Sequence, residues 1–77
     1  MPEVSPLKKI DEKYEEFVRA VSQEPGTIYV SEKLMQELRD TLVYIVPPGN
    51  PILFNSAVVA VDPLLENDEM RFVRKNA

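Results

Sequence analysis

The side chains in this sequence that could do acid–base or ligand chemistry are carboxylates, because the chain contains neither histidine nor cysteine. That composition closes off the Ser-His-Asp triad, the Cys-His nucleophile and zinc held by its usual ligands. Paired acids remain, since two carboxyl groups whose pKa values are driven apart can run acid–base catalysis. Glu12 and Glu16 stand one helical turn apart, as do Asp11 and Glu15, so each pair shares a helix face. Lys8, Lys9, Lys13 and Arg19 are interleaved with them, which is the pattern of a solvated helix surface rather than of a pocket. A second acidic group, Asp62, Glu66, Asp68 and Glu69, offers the oxygen ligands that Mg²⁺ and Ca²⁺ take. It lacks the glycine and the alternating spacing of an EF-hand loop, so it reads as a polar connection. Gly26 and Gly49 lie far apart beside proline or asparagine, which excludes a Walker loop and a dinucleotide fingerprint. The expectation is a protein that is not an enzyme, with no catalytic residue, no cofactor and no metal site.

Arg71, Arg74 and Lys75 form the one basic cluster in a chain of formal net charge −4. A domain of that charge is repelled by phosphate backbones, and no nucleic-acid partner is expected. The cluster reads as charge guarding a sheet edge, with contact to an acidic partner or to a phosphate backbone as the other readings. The aromatic residues, Tyr14, Tyr29, Tyr44, Phe17, Phe54 and Phe72, fall mostly at positions predicted to face the core, which disfavours a stacking platform for bases.

Two helices and a small sheet must position these groups. Ser5-Pro6 reads as a cap followed by a helix-starting proline. The helix it opens runs over about 6–22 with Leu7, Ile10, Tyr14, Phe17 and Val21 at spacings of three and four. Glu24-Pro25-Gly26 ends it. A short strand is predicted at about 27–30, and Ser31 caps a second helix at about 32–41. Val43-Tyr44-Ile45-Val46 is β-branched and aromatic, which predicts a strand at 43–46; the second helix is just long enough to let it lie parallel to 27–30, a pairing the sequence leaves open. Pro47-Pro48-Gly49-Asn50-Pro51 must be a corner. Strands at about 51–54 and 57–61 then form a hairpin through a two-residue loop at Asn55-Ser56, with Ile52 opposite Val59, Leu53 opposite Val58 and Phe54 opposite Ala57. In that register Ile52, Phe54, Ala57, Val59 and Val61 share one face, and Leu53, Val58 and Ala60 share the other. The last strand, at about 70–74, alternates Met70 and Phe72 with Arg71 and Val73. The fold class is therefore α+β, two N-terminal helices packed on a small, mostly antiparallel sheet.

The 77 residues make a single small domain over 1–77, with 1–4 and 76–77 expected to be disordered tails. Hydrophobic residues at 44% and charged residues at 29% fit a soluble globular chain rather than a disordered one. The longest uninterrupted apolar run, Leu42 to Val46, is far too short to cross a bilayer. The opening MPEVSPLKKIDEK lacks a basic start followed by an apolar core, so cytoplasmic localisation and no membrane partner are expected.

A sheet covered on one side alternates apolar and polar residues, whereas Leu42 to Val46 and Ala57 to Val61 are apolar throughout. Two short helices can cover one face. The second face needs the segment from Pro63, a curled sheet or another chain, and another chain is expected. The leading expectation is a protein–protein interaction module that binds a second copy, as a homo-oligomer, or a larger target. Its interface candidates are Leu53, Val58 and Ala60 on the sheet, or Leu7, Ile10, Tyr14, Phe17 and Val21 on the first helix, a stripe that can instead dock on its own sheet. Glu12, Glu15, Glu16, Arg71, Arg74 and Lys75 are its candidates for charge contacts. The alternatives are a small acidic regulator or inhibitor of a nucleic-acid enzyme, of host or phage type, and a structural subunit of a larger assembly such as a virion.

Overall fold

Both helices begin where a serine can cap them. In the computed structural model, which describes residues 5–47 and 49–75, the Ser5 hydroxyl accepts from the Lys8 N–H at 3.2 Å and opens helix α1, Pro6–Val21. The tails expected at 1–4 and 76–77 lie outside the described residues. α1 closes on Ser22, whose φ of 61° is left-handed and whose N–H reaches the Val18 carbonyl at 2.7 Å. Strand β1, Pro25–Val30, follows. Helix α2, Glu32–Thr41, starts from Ser31, whose hydroxyl accepts from the Leu34 N–H at 3.0 Å. Strands β2, Ile52–Phe54, β3, Ala57–Val61, and β4, Met70–Arg74, are the remaining elements among the described residues.

The four strands form one mixed sheet in the order β2-β3-β1-β4. β2 and β3 make the expected hairpin, with Ile52 opposite Val59, Leu53 opposite Val58 and Phe54 opposite Ala57. Asn55 and Ser56 both take positive φ, 49° and 72°, the signature of a tight two-residue turn whose twist matches that of the strands. β1 is central, parallel to β3 and antiparallel to β4.

The strand expected at 43–46 does not form, and the parallel neighbour of β1 is β3. β1 already has a partner on each edge, so 43–46 cannot take the place beside it. Instead the chain leaves α2 in tight turns in which the Ile45 and Val46 N–H groups both reach the Leu42 carbonyl, at 2.9 and 2.8 Å. β propensity reflects fit to a pleated, half-buried surface, and here no such surface is offered: Val43 is 50% exposed, Ile45 76% and Tyr44 98%.

α1 packs on β1, β4 and α2, and α2 packs on β3, so both helices occupy one side of the sheet. Ile10 and Tyr14 from α1, Leu34 and Leu38 from α2, and Ile28, Val30, Ile52, Ala57 and Val59 from the sheet are buried between the layers. Each fully buried Leu or Ile side chain contributes about 1.5–3 kcal/mol, so this single interface is the principal source of stability.

Candidate interaction surface

Strand alternation sends every second residue to the side of the sheet away from the helices, and the observed registers align those residues in two rows. One row crosses all four strands as Leu53, Val58, Thr27 and Val73. The other runs Ala60, Tyr29, Arg71. No helix covers this face among the described residues, and Leu53 and Val58 remain 60% and 41% exposed. Ala60, Thr27, Tyr29 and Val73 are half-buried by their neighbours in the sheet. The segment from Pro63 does not seal the face, since Leu64 is itself 87% exposed.

The single charge in these rows is offset locally. The Arg71 guanidinium lies 4.5 Å from the centre of the Tyr29 ring and donates to the Asp62 carboxylate at 3.0 Å. Asp62 also accepts from the Leu64 backbone N–H at 3.0 Å. The Leu64 N–H first, and then the Arg71 charge, hold the Asp62 carboxyl below its ordinary value, against partial burial, which pushes it up.

The apolar stripe of α1 is turned inward. Ile10 and Tyr14 are buried, and Leu7, Phe17 and Val21 are half-buried. Tyr14 meets the Phe54 ring at 5.5 Å and the Phe72 ring at 6.5 Å, and Phe17 stacks on Phe72 at 5.6 Å. Burial, and secondarily the Glu24 charge, raise the Tyr14 phenol above its ordinary value. Among the sheet and helix candidates, Leu53 and Val58 therefore present the most accessible apolar surface.

Glu12, Glu15 and Glu16 lie on the exposed arc of α1, where Glu16 pairs with Lys13 at 3.5 Å. The acidic connection from Asp62 to Glu69 is occupied with its own structure. Asp68 pairs with Lys9 at 3.1 Å, Glu69 accepts from the Glu66 N–H at 2.7 Å, and the buried Ser31 hydroxyl donates to the Asn67 carbonyl. An open depression of about 610 Å³ lies against this connection, lined by Lys13, Glu66, Asn67, Asp68, Glu69 and Met70. Among the described residues no three carboxylates come together as a metal would require. Nor is any described helix long and apolar enough to cross a membrane.

The exposed turn Val43-Tyr44-Ile45 has the composition of a buried strand, so nothing local marks it in the sequence. The Arg71–Tyr29 contact depends on β4 pairing with β1, a neighbourhood that no local pattern encodes. No family model, curated protein sequence or solved structure matches this chain.

Proposed function

We propose that this chain is a non-enzymatic protein–protein interaction module that pairs with a second copy through the sheet face opposite the helices. The observation that supports it is the placement of both helices on one side, which leaves Leu53 and Val58 exposed beside Ala60 and Tyr29 on the other. Local pairing of Arg71 with Asp62 lowers the cost of burying that face. At strand spacings of about 4.8 Å and rises of about 3.3 Å per residue, the two rows cover on the order of 200–300 Å². A standard interface buries about 800 Å² per partner. The expected association is therefore weak and reversible.

Sedimentation equilibrium up to roughly millimolar concentration should show the average mass climbing from 8.8 kDa toward twice that value. Val58→Glu places a charge on an exposed position, leaves the core intact and should hold the protein at the monomer mass. A wild-type protein that stays monomeric, or a variant that associates equally well, removes the proposal. A second reading rests on Glu12 and Glu15, which are exposed and in no ion pair among the described residues. They suit docking on a basic protein surface, as an acidic regulator would, and charge reversal at both would then abolish capture without altering self-association.

A further inference from the structure

A different surface carries a second recognition element. β4 is an edge strand, so among the described residues one row of its backbone N–H and C=O groups has no partner strand. A depression of about 360 Å³ runs beside it, lined by Phe17 and Val21 of α1 and by Arg71, Phe72, Val73 and Arg74 of β4. Consecutive residues of a strand point to opposite faces. Lining by Arg71 through Arg74 without a gap therefore places the depression along the edge itself rather than on either face. On the helix side of that edge stand the stacked Phe17 and Phe72 rings. At its far end Arg74 and Lys75 are exposed, and neither has an ion-pair partner among the described residues. Arg71, by contrast, is already engaged by Asp62.

We propose that the β4 edge binds an extended, acidic segment of another protein, which adds to the sheet as a fifth strand. Main-chain bonds to β4 supply affinity and alternate side chains supply selectivity. Residues of the added strand that face the helices rest on the Phe17–Phe72 ledge and are apolar. Those on the opposite face are acidic and answer Lys75 near the end of β4, where Arg74 adds to the same positive potential.

The test is fluorescence anisotropy with a labelled peptide of strictly alternating valine and glutamate. Saturable binding is expected, weakened by about tenfold or more in the R74E/K75E variant and unchanged in Val58→Glu, whose substitution lies on the other sheet face. Both charge reversals are at exposed positions, and circular dichroism checks that the variant remains folded. The same peptide N-methylated at alternate residues should not bind, and backbone amides of β4 should gain hydrogen-exchange protection only with the unmodified peptide. Failure to bind at millimolar peptide overturns the proposal. So does equal binding of a valine–lysine peptide, persistence in R74E/K75E or after N-methylation, or a dimer that forms through β4.

Discussion

Ser31 holds two parts of the molecule with one hydroxyl, and its replacement by alanine has a cost that can be worked from its contacts. The side chain is 2% exposed, accepts from the Leu34 N–H at 3.0 Å to cap α2, and donates to the Asn67 carbonyl in the connection before β4. Losing the cap costs about 1 kcal/mol, and losing the net contribution of the second bond costs roughly 0.5–1.5 kcal/mol. S31A should therefore destabilise by about 2 kcal/mol, a large share of the roughly 4–12 kcal/mol expected for a chain of this length. Ser5 is the internal control, because it caps α1 through the Lys8 N–H at 3.2 Å, is exposed, and its hydroxyl makes no second hydrogen bond among the described residues. S5A should cost about 0.5–1 kcal/mol. Glycine retains most of a cap but none of the tether, so S31G should fall between the two. Urea denaturation followed by circular dichroism gives all three values at a common slope, and thermal midpoints should drop by about 8–16 °C for S31A against about 4–8 °C or less for S5A. If S31A and S5A differ by less than about 0.5 kcal/mol, the tether to Asn67 contributes nothing and the reasoning fails.

The turn of the hairpin offers a gain: Ser56 holds a φ of 72° that glycine adopts without strain, so Ser56→Gly should stabilise by about 0.4–1 kcal/mol in the same urea assay. No gain would mean that the turn is not in this conformation in solution. Asp62 has its carboxyl lowered by the Leu64 N–H and Arg71, so its contribution is present above the ordinary carboxylate value and disappears as pH falls through the lowered one. The stability gap between wild type and Asp62→Asn should accordingly shrink on acidification, and a gap that stays constant would count against the ion pair. For Tyr14 the sign reverses. Its phenol is raised by burial, so the folded state favours the neutral ring, and stability should fall as pH climbs beyond the ordinary tyrosine value of about 10. Tyr14→Phe should flatten that alkaline decline, and an unchanged slope would assign it to other groups.

The parts of this fold that the sequence discloses are those fixed by neighbours in the chain. Ser5-Pro6 and Ser31 mark both helix starts because capping needs only the side chain and the next turn. The hairpin register follows from two apolar runs meeting at Asn55-Ser56, and the face carrying Leu53, Val58 and Ala60 follows from that register by alternation alone. What the sequence does not disclose depends on who sits beside whom. Val43 to Val46 has strand composition but cannot lie beside β1 as expected, since β3 and β4 occupy both of its edges. The Arg71–Tyr29 contact and the Phe17–Phe72 ledge arise from β4 pairing with β1 beneath α1, distant residues brought together by topology.

The central position of β1 also sets the order in which the molecule can be built. Ile28 pairs with Val59 on one side and Phe72 on the other, both far downstream, so large loops must close before the strand gains any ladder bond. α1, β1 and α2 are synthesised before either neighbour of β1 exists. During that interval the apolar faces of the two helices, Ile10, Tyr14, Leu34 and Leu38, have only each other to lie against. Closure of the core therefore waits for β3 and β4, and until they arrive the apolar helix faces have no complete sheet to cover them.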